Sequence, residues 1–179
     1  MGQSASLYRI NESNFREITE DFKDQDVYNI AIECKVFQKS FEGLRFVLSK
    51  NQSVENTNLI QEIFFPEKFL GKEIDYSSLD FENIPDDYDF DSNAISYHDP
   101  EKVHSINLIL SAITIEKFKE LFDPNELNKN DIYPGNIWND ETSEDYAFNE
   151  RHMTEEFIVL KTLFMNAKNE GDYIVSYVG

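Results

Sequence analysis

Ala5, Leu7, Tyr8 and Ile10 place apolar groups on both faces of a short opening stretch, which predicts a strand over residues 4–10. Asn11 then stands where a helix N-cap belongs. Ile10 before it and Phe15 after it are spaced to clasp the helix start, and Phe15, Ile18 and Phe22 continue at helical spacing. This predicts a helix over residues 12–22. From Ile30 the period shortens: Ile30, Ile32, Cys34 and Val36 alternate with Ala31, Glu33 and Lys35, as on a half-buried strand. Ile30, Cys34, Phe37, Phe41, Leu44 and Leu48 also fit a helical stripe. The expectation divides the segment into a strand to about Phe37 and a helix over 38–49 that buries Phe41, Leu44, Val47 and Leu48.

A polar stretch, 50–58, leads to a short helical turn over 59–65, stopped by Pro66. Residues 72–93 carry dense acid and weak periodicity, and read as a long, partly irregular loop of the kind that is usually functional or disordered. A strand is expected over 94–97. Asp99-Pro100 then supplies an N-cap and a first-turn proline for a helix with Val103, Ile106, Leu110 and Ile113 on its core face. Thr114 can cap a further helix carrying Ile115, Phe118 and Leu121, and Asp123 with Glu126 suggests a capping box for one more turn. Met153, Phe157, Leu160, Phe164 and Ala167 step by four and three, the stripe of a long amphipathic helix that Gly171 can stop. Residues 173–178 are rich in strand formers. No internal repeat is visible. The pattern predicts one α+β domain over 1–179, with a small mixed or antiparallel sheet packed against several helices.

Size supports that picture: 179 residues with 40% hydrophobic content and 15 phenylalanines can bury roughly 70% of the unfolded chain's surface. Charge adds something the pattern does not. Sixteen basic against 35 acidic residues leave a net charge of −19, a field that repels nucleic-acid phosphates and anionic membranes and draws in basic partners, besides favouring solubility. The single Cys34 cannot form an internal disulfide, and no apolar run reaches membrane-spanning length, so a cytoplasmic protein is expected, with neither nucleic acid nor membrane as partner. Met1-Gly2-Gln3-Ser4-Ala5-Ser6 matches the myristoylation pattern, but a bacterial-looking composition and the strand over 4–10 speak against acylation.

Chemical motifs are sparse. Asp87, Asp89, Asp91 and Asn93 alternate like the first ligands of a calcium loop, yet Ser92 stands where glycine is needed and His98 where a bidentate Glu is needed. A solvated acidic loop is the better reading. His152 and Glu156 are one turn apart and could share a ligand, but no third zinc ligand matches them. No catalytic residue, cofactor motif or metal site emerges. Asp80, Glu82, Asp86, Asp87, Tyr88, Asp89 and Asp91 form the expected docking surface for a basic protein, aromatics among charges. Tyr133, Pro134, Gly135 and Trp138 form the second candidate. These aromatics on a rigid turn could line a ligand cleft or anchor a partner, but the favoured reading is a loop plug whose Trp138 seals the core beneath the last helix.

The opening strand after Met1-Gly2 resembles the YfbM-like bacterial proteins of unknown function (domain of unknown function 1877). So do Lys39-Ser40-Phe41-Glu42-Gly43-Leu44, Ile132-Tyr133-Pro134-Gly135-Asn136-Ile137-Trp138, Phe157-x-x-Leu160-Lys161 and Ala167-x-x-x-Gly171-Asp172. The resemblance runs through nearly the whole chain, with the acidic loop conforming least. It implies an α+β domain from a bacterial cytoplasm and implies no activity. The expected function is therefore that of a non-catalytic interaction protein, immunity- or inhibitor-like, that binds a basic protein. A small-molecule binder or enzyme using a cleft near Trp138 is the alternative.

Overall fold

A five-stranded antiparallel sheet in the order β2-β1-β5-β4-β3 organises the chain. The computed structural model describes residues 2–20, 27–71 and 94–179. Its strands are β1 (Ser4–Ile10), β2 (Glu33–Gln38), β3 (Lys68–Leu70), β4 (Ile95–His98) and β5 (Tyr173–Val178). Helices α1 (Glu12–Glu20) and α2 (Val27–Ile30) follow β1. Helices α3 (Phe41–Ser49) and α4 (Val54–Glu62) follow β2, and α5 (Pro100–Ala112), α6 (Ile115–Leu121), α7 (Pro124–Lys129) and α8 (Glu150–Glu170) come between β4 and β5. The fold is α+β, with the C-terminal strand at the sheet's centre.

The alternation of the strands separates two cores. Ala5, Leu7, Phe37 and Ile174 face the main core, which they share with Leu44, Leu110, Phe118, Phe157, Leu160 and Phe164 of the helices. Ile10, Ile95 and Val175 face the other side, where Phe15, Ile18 and Val27 cover part of the sheet. Burial of this apolar area is the main favourable term of folding. Two polar side chains that enter the core are paired with backbone: Ser176 Oγ donates to the Phe64 carbonyl at 2.6 Å, and His98 Nε2 lies 3.2 Å from the Ile63 carbonyl.

Helix boundaries follow their capping residues. Asn11 accepts from the Asn14 amide at 2.8 Å, Asp99 from Lys102, Thr114 from Lys117, and Asp123 from Asn125 and Glu126. Gly171 ends α8 in the left-handed region, with φ 71°, where a β-carbon would be strained. The expected stripes on α3, α5 and α8 are buried, including Phe41, Leu44, Phe157, Leu160 and Phe164.

Three expectations give way. The alternating set Ile32, Cys34 and Val36 faces outwards, with Ile32 and Val36 each 48% exposed, while Phe37 is fully buried. Pairing decides this: Ala5 lies opposite Phe37 and Leu7 opposite Lys35, so the odd-numbered side chains of β2 take the core face. The strand also starts at Glu33, because Val27–Ile30 closes a helical turn first, and α3 starts at Phe41, after Lys39 turns the chain with φ 60°. Finally, residues 54–62 form a helix where a polar stretch and a short turn were expected. Ser53 caps it, accepting from the Asn56 amide, and it buries Ile60 against the core. Strand β3 was not foreseen; three residues carry no readable period and need β4 beside them. The acidic segment 72–93, with Asp80, Glu82, Asp86, Asp87, Tyr88, Asp89 and Asp91, lies outside the described residues, as does Phe22.

Candidate functional site

The segments after α7 fold as a series of tight turns around one aromatic side chain. Asp131 has φ 52°, the Tyr133-Pro134 peptide is cis, and Gly135 and Asn136 have φ 73° and 53°. Gly135 donates its amide to the Ile132 carbonyl at 2.9 Å, closing the turn. Trp138 leaves it pointing inward, 3% exposed. Its indole Nε1 donates to the Ile132 carbonyl at 2.9 Å, and the Asn128 side chain holds its backbone from both sides, accepting from Trp138 N and donating to Trp138 O. The indole rests on Gly43 of α3 and meets Phe148 edge-on at 5.7 Å. Tyr133 stays half-buried, its ring 6.0 Å from that of Phe41 and its hydroxyl accepting from the Gln3 amide at 2.6 Å. Of the second candidate group, then, Trp138 is a core plug, and Tyr133 fastens the start of β1.

A polar cluster lies on the same side of the helical layer. Buried Ser40, just before α3, donates Oγ to Glu156 Oε2 at 2.8 Å instead of capping its own helix. One turn back on α8, His152 Nδ1 accepts from the Phe148 amide at 3.0 Å, which puts the ring proton on Nε2, 3.9 Å from Glu156 Oε1. Burial holds the Glu156 carboxyl above its ordinary range, against the lowering effect of the Ser40 hydroxyl. Burial, and then the Arg151 charge, hold the His152 imidazole below its own. Both shifts favour the neutral forms, so the pair is a polar contact and not a strong ion pair. The spacing of His152 and Glu156 was legible in the sequence. Ser40, 116 positions away, was not.

Beyond Trp138 the chain forms one wall of a cleft of about 330 Å³. Asn139 fastens this wall, donating to the Ile137 and Ala147 carbonyls and accepting from the Glu141 amide. Asn149, the buried N-cap of α8, donates to the Glu141 carbonyl at 2.7 Å while accepting from the His152 amide. Half-buried Phe122 and Pro124 line the cleft, with exposed Asp140, Glu141 and Glu150 and with Arg151. A groove of about 360 Å³ between α4, α5 and β3 holds two ion pairs within its own lining, Lys102 with Glu62 at 2.8 Å and Lys68 with Asp99, beside Glu55 and Glu101. Tyr133, Pro134, Gly135 and Trp138 line neither cleft. Among the described residues, no three His, Cys, Asp or Glu side chains gather as a metal site, and no helix is long and apolar enough to cross a membrane. His98 is 1% exposed and turned to the Ile63 carbonyl.

The segments singled out for their family resemblance meet in space: Gly43 on Trp138, Phe41 by Tyr133, Ser40 on α8. No curated protein sequence matches the chain. Among solved structures, that of a protein of unknown function, YfbM from Escherichia coli, superposes with a TM-score of 0.62 over 98% of this chain and 99% of that one, at 11% identity. That likeness concerns the fold. The family model of the domain of unknown function DUF1877 matches residues 1–177, and the chain belongs to that family.

Proposed function

We propose that this protein is a non-catalytic interaction protein, immunity- or inhibitor-like, which binds a basic protein in a bacterial cytoplasm. The observation that carries the proposal is the net charge of −19 on 179 residues, large enough to steer a cationic partner and to repel phosphates and anionic lipids. The Ser40 cluster supports no nucleophilic chemistry. The Ser40 proton is committed to Glu156, and no hydrogen bond among the described residues joins Ser40 to His152, the contact that a serine nucleophile needs from its base. The alternative, a ligand cleft built on the 133–138 turn, has less support, because the indole of Trp138 is buried and its N–H is already bonded.

Asp80, Glu82, Asp86, Asp87, Tyr88, Asp89 and Asp91 enter this proposal on their sequence alone. The test is affinity capture from the source organism at low and then high salt, followed by association kinetics with the captured protein. A partner of high isoelectric point is expected, with an on-rate that falls steeply with salt. The Asp86→Asn, Asp87→Asn, Asp89→Asn triple variant is expected to lower that rate. Capture of acidic or neutral partners only, or a salt-independent on-rate, would overturn the proposal.

A further inference from the structure

The cleft beside α7 combines two properties that rarely coincide. Phe122 and Pro124 give it an apolar side, and Asp140, Glu141 and Glu150 give it three carboxylates. Among the described residues no cation stands within 4 Å of Asp140 or Glu141, and Glu150 has only Lys119 at 3.9 Å. Arg151, which also lines the cleft, does not compensate them. Its Nη1 contacts both oxygens of Glu155 at 2.9 Å, and its Nη2 donates to the carbonyls of Glu144 and Tyr146. The wall is built before any partner arrives, through the Asn139 and Asn149 hydrogen bonds and the buried Trp138 behind them.

We propose that this cleft receives an arginine side chain of the basic protein partner. A guanidinium can lay its face and methylene stem on Phe122 and Pro124 while its N–H groups reach the carboxylates of Asp140, Glu141 and Glu150. Arginine suits the site better than lysine, because its weakly hydrated plane stacks on an aromatic ring and its fork can bridge two acids. Insertion also gives Asp140 and Glu141 the cation that, among the described residues, they lack within 4 Å. A second copy of this chain is a poor occupant, since two bodies of charge −19 repel each other. The inference rests on the proposed basic-partner function and locates it.

The test uses the whole protein and two probes, a tetra-arginine peptide and the same peptide built from citrulline, whose side chain keeps the shape and loses the charge. Amide chemical shifts are expected to move at residues 122, 139–142 and 150–151 with the arginine peptide only. Changing Asp140→Asn and Glu141→Gln together should weaken binding about tenfold or more, while Glu17→Gln with Glu20→Gln, an equal charge change on α1, should weaken it less than about threefold. Both pairs are exposed, and thermal melts verify that each variant folds. Equal losses in the two variants, or shifts centred elsewhere, would overturn the cleft and leave the basic-partner function standing. Equal binding of the citrulline peptide, or no binding of the arginine peptide, would overturn both.

Discussion

Gly43 lies flat against the indole of Trp138. A β-carbon built on it would stand 2.8 Å from Cζ3 and 2.9 Å from Cζ2, and closer still to Cη2. Residue 43 therefore has to be glycine for reasons of space, inside a helix where glycine otherwise costs about 1 kcal/mol relative to alanine. Restoring that β-carbon with Gly43→Ala should improve helix propensity and still destabilise the protein by about 1–3 kcal/mol, because the ring has to move in a packed core. Trp138 is the sole tryptophan, so its fluorescence reports the displacement directly. Paired with Trp138→Phe, the substitution should cost clearly less than the sum of the two single changes. Additive losses would mean that the two residues do not share the contact.

Asn149 serves α8 and the cleft wall at once, accepting from His152 N and donating to the Glu141 carbonyl. Asn149→Ala should cost about 1–2 kcal/mol for the lost cap. Amide exchange across residues 141–148 should speed up more than in the rest of the chain. Asn149→Asp keeps the acceptor and loses the donor. It should hold α8 and loosen the wall alone, provided the wall depends on the donor.

His98 sets a pH dependence. Burial pushes its imidazole down to about 4, against a hydrogen bond from the ring to the Ile63 carbonyl and the nearby Glu62 charge, with the Lys102 charge adding to the lowering. The unfolded chain takes up this proton near pH 6.5, whereas the folded one resists it to about pH 4. The contribution of His98 to stability is thus complete above pH 6.5 and is lost as pH falls towards 4, at up to about 1.4 kcal/mol per pH unit. Burial of Glu156 and Asp172 raises their carboxyls and works in the opposite direction. Urea melts at pH 7 and pH 5 should show the wild-type loss, and His98→Gln should flatten it. An unchanged slope in that variant would assign the effect to other groups.

Ser40→Ala removes the hydroxyl that lowers the Glu156 carboxyl, whose raised position is due to burial. The carboxyl should then titrate at still higher pH, and stability at neutral pH should fall by about 1–2 kcal/mol as a half-buried carboxyl loses its hydrogen-bond partner. Carboxyl carbon shifts of Glu156 followed through a pH titration read this directly. A downward shift would mean that water replaces the hydroxyl more than adequately.

Local chemistry made much of this molecule legible before any tertiary contact was considered. The stripes of α3, α5 and α8, the caps at Asn11, Asp99, Thr114 and Asp123, the Gly171 stop and the terminal strand follow from periodicity and short-range hydrogen bonding, and the structure places them as read. The charge of −19 is likewise a property of composition. Tertiary structure decided whatever depends on a partner distant along the chain. The face that β2 buries was set by its pairing with β1, which overrode the alternation of Ile32, Cys34 and Val36. The helicity of residues 54–62, weakly patterned apart from the Ser53 cap, came from packing Ile60 into the core. Ser40 meets Glu156 across 116 positions, and the cleft draws Phe122, Glu141 and Glu150 from three segments. Spacing along a sequence encodes only neighbours within a turn or a pleat, whereas a site is assembled by whichever elements the shared core forces side by side.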